Sequence, residues 1–345
     1  MKKWPILVSI VCGLVLCGIL IGAWLTAYQP TPSEPAQTTQ TTAATLAEAM
    51  TQAATEPVTE PTTAPTEPPY PTYEVPDESQ LHCRHAFVYD LTNRKLLFTY
   101  GDQNEPISPA SLTKLMTCYV AMKYLDPTAV VNVGEEAGFI APDSSIAAIR
   151  RGNRLTVEMI LQGTMMQSGN DGAYVLAVAA GRAIAADPKL EARAALEVFM
   201  DEVNLYLQRN GLTGTHFVTP DGYDAEGHHT TAANLLQIAR LALNEPLIVK
   251  MAAKEKEAVT YESGEEYTWV NTNWLLRQED FPDLYCPEAT GLKTGGTRKA
   301  GNCVIATFDD GDRQLMIGVL GCEIINDRFV DARFLFEHFR NPAEE

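Results

Sequence analysis

The sequence predicts a mixed α/β (α+β) fold, an antiparallel sheet flanked by helices with a helical region inserted between its strands. Three observations predict it. Apolar runs of strand type lie near both ends of the folded part, over 86–100 and 292–321, segments of helical period fill most of the chain between them, and a closing helical stretch follows over 327–339. Strands so far apart in sequence must meet in one sheet, and the junction with the inserted helices is where a site is expected.

The 345 residues are not all domain. Lys2 and Lys3 precede an uncharged, largely apolar run over 4–27, long enough to cross a bilayer of roughly 30 Å at about 1.5 Å per helical residue. Residues 1–28 therefore read as a membrane anchor with the lysines inside, a cleaved signal segment being the rival, and small-x-small cleavage residues are missing. Leu14-Val15-Leu16 ahead of Cys17 lacks the small residues of a lipoprotein site. Residues 29–80 are dominated by Thr, Pro, Ala and Glu, without Lys or Arg, and read as a disordered acidic linker that holds the rest away from the membrane. Within it 43–54 has the composition of a short helix. The folded domain is expected over 81–342.

A hairpin is predicted from 86–90 and 95–100 around Thr92-Asn93-Arg94. Ser108 as N-cap and Pro109 at the first position open a helix whose stripe is Leu112, Leu115, Met116, Tyr119 and Val120, and Asp126-Pro127 ends it. Further helices are predicted over 156–166, 172–186, 190–210 and 231–243, and strands over 258–261, 267–271, 292–294, 303–308 and 314–321.

The net charge of −18 leaves the domain acidic by about −12 once the linker, Lys2 and Lys3 are set aside, which disfavours nucleic acid as a partner. Besides Cys12 and Cys17, five cysteines fall in the domain, an odd number without close spacing, and buried free thiols are expected. A hairpin turning near 309–312 puts Cys303 opposite about Gly318, so no bridge to Cys322 is expected.

Three short segments carry the chemistry. In Ser111-Leu112-Thr113-Lys114 a hydroxyl and an amine stand three residues apart on one helical face, nucleophile and base, with the helix N-terminus favouring developing negative charge. Lys114 acts as base only when deprotonated, which requires burial or a neighbouring cation such as Lys293. In Ser168-Gly169-Asn170 the glycine permits a tight bend, Ser168 can relay a proton, and Asn170 can hold Lys114 and a substrate carbonyl. In Lys293-Thr294-Gly295, on a strand, cation and hydroxyl suit a substrate carboxylate, Gly295 clears space for substrate backbone, and Gly296 can supply a second oxyanion N–H. His216, His228 and His229 match no compact metal site and are read as loop packing. Trp269, Trp274 and Tyr267 are read as core or rim, and Asp171 and Arg150-Arg151 as structural.

With Thr215-His216-Phe217, His229-Thr230-Thr231-Ala232 and Asn271-Thr272-Asn273, these motifs make the stretch over 82–340 resemble the serine D-alanyl-D-alanine carboxypeptidases, low-molecular-mass penicillin-binding proteins of the β-lactamase-like superfamily. The resemblance implies a β-lactamase/transpeptidase-like fold with Ser111 as acylated nucleophile, Lys114 as its base, Ser168 and Asn170 as the second motif, and Lys293 with Thr294 as the carboxylate-binding strand. It implies removal of the terminal D-Ala from peptidoglycan stem peptides by a membrane-tethered enzyme outside the cytoplasm. β-Lactams would be covalent inhibitors, and no metal or cofactor is required. A β-lactamase and a non-catalytic wall-binding protein are the alternatives. Gly296 and Gly172 depart from the family's usual residues, and no second all-strand domain or C-terminal amphipathic helix is expected.

Overall fold

The computed structural model describes residues 71–340, so the predicted anchor, most of the linker and the 43–54 segment lie outside the described residues. Among the described residues no helix is long and apolar enough to cross a membrane.

The chain opens with β1 (His85–Asp90) and β2 (Lys95–Tyr100), then α1 (Thr113–Ala121), and a short pair β3 (Val130–Asn132) and β4 (Arg154–Thr156). Helices follow as α2 (Val157–Met166), α3 (Asn170–Ile184), α4 (Ala192–Arg209), α5 (Ala232–Ala242) and α6 (Pro246–Ala252). Then come β5 (Lys256–Thr260), β6 (Glu266–Val270), β7 (Ala289–Thr297), β8 (Gly301–Asp309), β9 (Gln314–Cys322) and α7 (Asp327–Arg340).

Five strands form an antiparallel sheet in the order β2-β1-β9-β8-β7, so first and last segments of the domain pair directly, His85 with Leu320 through Asp90 with Leu315. The strands predicted over 258–261 and 267–271 form, but outside this sheet. β5 and β6 pair only with each other, because Trp269 is buried beneath the loop at Ala147 instead of against the sheet.

The sheet is covered on both faces, as the alternation along β8 requires. Val304, Ala306 and Phe308 point to α7, where Phe308 stacks on Phe336 with ring centroids 4.4 Å apart. Cys303 and Ile305 point the other way, into the cluster built by α1, α2 and α5. Every residue of α1 is buried, so this helix is the hub around which the inserted helices pack. Thr156 caps α2 through the Met159 N–H.

One register detail differs from expectation. The hairpin turns one residue later than expected, Asp309 pairing with Gln314, so Ile305 and not Cys303 lies opposite Gly318, and a bulge at Cys303 then sets Asn302 opposite Cys322. All five domain cysteines are free and buried. Ordered contacts also begin upstream of residue 81: the Tyr73 ring packs on Phe339 at 5.4 Å, and His338 Nε2 bonds the Glu74 carbonyl oxygen at 2.8 Å.

Candidate active site

Ser111 does not sit in the third position of a regular helix, as Ser108-Pro109 predicts. It occupies a 3-10 turn, Ala110–Leu112, because Ala110 takes a left-handed φ of 49° and α1 starts only at Thr113. Ser108 caps nothing; its hydroxyl donates to Asp224 at 2.7 Å. The strained turn is held from outside. Thr113 Oγ1 donates to the Ala110 carbonyl at 2.9 Å and lies 3.1 Å from His228 Nε2. His228 Nδ1 accepts the Val218 N–H at 2.9 Å, so the ring proton sits on Nε2 and points to Thr113. Burial pulls the His228 pKa down to about 4, keeping the ring in that neutral state.

The three-residue spacing still brings base to nucleophile. Lys114 Nζ lies 2.8 Å from Ser111 Oγ, 2.7 Å from Asn170 Oδ1 and 2.8 Å from the Asp221 carbonyl oxygen. Two of these partners can only accept. A neutral amine with two N–H groups would satisfy both and turn its lone pair on the Ser111 hydroxyl. Burial supplies the condition, since Lys114 is fully enclosed and its pKa falls to about 8 even though the Asp221 carboxylate opposes the shift.

The second motif begins α3. Its left-handed residue is Ser168, with φ 55°, and Gly169 at the N-cap has an ordinary φ of −61°, so the bend is made by the serine and not by the glycine. Asn170 gives its Oδ1 to Lys114 and donates Nδ2 to Ser144 Oγ at 2.9 Å. Ser145 Oγ in turn donates to the Ser168 carbonyl at 2.7 Å. The loop carrying these serines is fastened by Asp171, whose carboxylate accepts the N–H groups of Ala147 and Ile149 at 2.9 and 2.8 Å. From the other side the Ala147 carbonyl accepts from Trp269 Nε1 at 2.9 Å and Tyr261 OH at 3.0 Å. Asp171 and Trp269 are thus structural in a specific sense: they set the wall that positions Asn170.

The third motif lies on β7. Lys293 Nζ donates to Ser168 Oγ at 2.8 Å and to the Thr294 carbonyl at 3.0 Å. Burial first, and then the charge of Lys114, holds its pKa well below the ordinary lysine range. Thr294 Oγ1 is 2.6 Å from Thr272 Oγ1. Gly295 makes room for the nucleophile's own turn and not only for substrate: a β-carbon there would stand 3.2 Å from both Ala110 Cβ and the Ser111 nitrogen. Gly296 lines the openings on both sides of Ser111.

Arg328 on α7 was not found from sequence. It is 6% exposed, donates Nη1 to the Gly295 carbonyl at 2.9 Å, and keeps a buried Nε without a partner. It lines an opening of about 400 Å³ with Ser111, Ser168, Thr272 and Thr294. No local pattern marks it, since an arginine on an amphipathic helix reads as surface. On the other side of Ser111 an opening of about 310 Å³ is lined by Asn170, Asp221, Tyr223 and Asp224. All eight residues picked from sequence, Ser111, Lys114, Ser168, Asn170, Lys293, Thr294, Gly295 and Gly296, meet around this cleft. The three loop histidines do not, and among the described residues no group of three or more His, Cys, Asp or Glu is set to hold a metal ion.

A family model described as D-alanyl-D-alanine carboxypeptidase, peptidase S11, matches residues 72–323. The chain belongs to that family. It is 30% identical over 272 residues to D-alanyl-D-alanine carboxypeptidase DacD of Escherichia coli K12, covering 75% of this chain and 63% of the relative. The chain thus spans less than two thirds of that relative's length. Among solved structures the Streptomyces K15 DD-transpeptidase superposes with a TM-score of 0.65 at 24% identity, covering 75% of this chain and 97% of that one. Penicillin-binding protein D2 of Listeria monocytogenes, solved in its ampicillin-bound form, gives 0.60 at 23% identity, covering 76% and 98%. These two likenesses establish the fold of the S11 unit as that of DD-peptidases.

Proposed function

We propose that the chain is a serine D-alanyl-D-alanine carboxypeptidase acting on peptidoglycan stem peptides. The observation that carries this reading is the Lys114 amine, 2.8 Å from Ser111 Oγ with its remaining bonds directed at two oxygen acceptors. Ser111 passes its proton to Lys114 as Oγ bonds to the carbonyl carbon of the penultimate D-Ala, and the N–H groups of Ser111 and Gly296 face the oxyanion. Collapse breaks the C–N bond, and the departing amine of terminal D-Ala takes the proton, relayed through Ser168. Water then adds to the ester and releases the shortened peptide and free Ser111.

The terminal carboxylate fits beside Thr294, Lys293 and Arg328. Its arrival favours the charged form of Lys293, and that charge disfavours a proton on Lys114. Substrate binding and activation of the base are thereby linked. The N-terminal apolar run with Lys2 and Lys3 would tether the enzyme to the membrane with its catalytic unit outside; retention of the full chain in the membrane fraction, lost when 1–28 is deleted, tests that part.

The catalytic reading is tested with a fluorescent penicillin. Parent protein should be labelled one to one and Ser111→Ala not at all, and the parent should release D-Ala from a peptide ending in D-Ala-D-Ala. An unlabelled parent would overturn the assignment, and rapid turnover of the penicillin would make the chain a β-lactamase.

A further inference from the structure

A cavity of about 690 Å³, more than twice the volume of the one beside Asn170, opens between the β1-β2 hairpin, the end of α4 and helix α5. It shares no lining residue with either opening at Ser111. Its chemistry runs against that of the chain. In a protein of net charge −18, its walls carry the guanidinium groups of Arg94 and Arg240 and no carboxylate. Side-chain amides of Gln237, Asn234 and Asn244 surround them, over a floor of leucine side chains and Tyr89.

Arg240 is held ready. Its guanidinium lies over the Tyr89 ring at 4.9 Å and donates to Gln237 Oε1 at 2.8 Å. Among the described residues neither arginine is engaged in an ion pair. Guanidinium groups recognise carboxylate and phosphate by paired hydrogen bonds, amides suit hydroxyl and acetamido groups, and aromatic and leucine surfaces suit the C–H faces of a sugar ring.

We propose that this cavity binds an acidic glycan, with a carboxylate or phosphate on Arg94 and Arg240 and sugar polar groups on Gln237, Asn234 and Asn244. The enzyme then grips the wall polymer at a place separate from where it cuts. The identity of that polymer rests on the activity proposed above; the basic, amide-rich cavity does not.

The test is co-sedimentation of the full chain in detergent, carrying Ser111→Ala to prevent turnover, with purified cell-wall sacculi. Adding Arg94→Gln and Arg240→Gln should lower the bound fraction at least fivefold, and 300 mM salt should do the same to the parent. Stripping phosphate polymers from the sacculi with hydrofluoric acid assigns the source: binding retained names the glycopeptide carboxylates, and binding lost names the phosphates. With Ser111 intact, the double substitution should leave penicillin labelling and hydrolysis of a soluble acyl-D-Ala-D-Ala peptide within twofold of parent. Equal sedimentation of parent and double variant overturns the proposal, as does failure of the parent to sediment. Should the double variant not fold, Arg94→Gln alone, at an exposed hairpin tip, carries the same comparison. An unlabelled parent would instead strike at the catalytic reading and leave the sedimentation result standing.

Discussion

Gly222 lies against Ala110 so closely that a β-carbon on it would come within 1.8 Å of the Ala110 carbonyl oxygen. Ala110 is the left-handed residue that turns Ser111 into the cleft, and the carbonyl of the neighbouring Asp221 receives Lys114. One short loop therefore fixes both nucleophile and base. Gly222→Ala, with φ at 83° and no space, should lower stability by at least about 1 kcal/mol and slow acylation at least tenfold. Melting temperature and penicillin labelling rate measure the two effects, and a labelling rate equal to parent would show the turn to be independent of the loop.

The depressed Lys114 predicts the pH profile of acylation. The reactive form is the free amine, so the rate rises with pH through the pKa. The second-order constant for penicillin should climb about tenfold per unit below pH 7 and level off near 8. A profile flat from pH 6 to 9 would mean that Lys114 is not the base.

Arg328→Gln removes a charge from the carboxylate side of the cleft while keeping a donor for the Gly295 carbonyl. Losing a charge-assisted bond of about 1.5–3 kcal/mol should raise KM for a peptide acid roughly 10- to 100-fold. The matching peptide amide should hardly respond. Equal losses on acid and amide would reduce Arg328 to a brace for β7.

Asp171→Asn retains size but puts an amide donor against two backbone N–H groups, Ala147 and Ile149. An expected cost of about 1–3 kcal/mol should loosen the Ser144 loop, and acylation should slow with it. Trp269→Phe, which deletes one of two bonds to the Ala147 carbonyl, should produce a milder form of the same defect. Hydrogen exchange at Ala147 and Ile149 would rise in both variants; unchanged exchange with slowed acylation would contradict the link.

Much of this architecture was legible because local pattern and tertiary role coincide. An apolar run beyond a polar turn marks β2 at Lys95–Tyr100 to the residue, and helical period marks α2 and α5 to within a residue at each end. The Pro246–Ala252 helix escaped because seven residues give too little period, and the β3-β4 pair because three-residue strands have no pattern of their own. Three residues of either helix type set Ser111 and Lys114 on one side, but that tetrad is common, and the second and third motifs were needed to mark it. Ser108 misled, for its hydroxyl was claimed by Asp224 from over a hundred residues away. Arg328 and the loop fastening by Asp171 arise only when distant segments meet, and nothing in their own neighbourhoods announces them.

Trp269 holds the Ala147 carbonyl, and three residues earlier on the same loop Ser144 holds the Asn170 amide that accepts from Lys114, so the β5-β6 hairpin bears on the base without touching the cleft. Substitutions in β5 and β6 that free the Ala147 carbonyl would slow acylation of Ser111 while every motif residue stays intact.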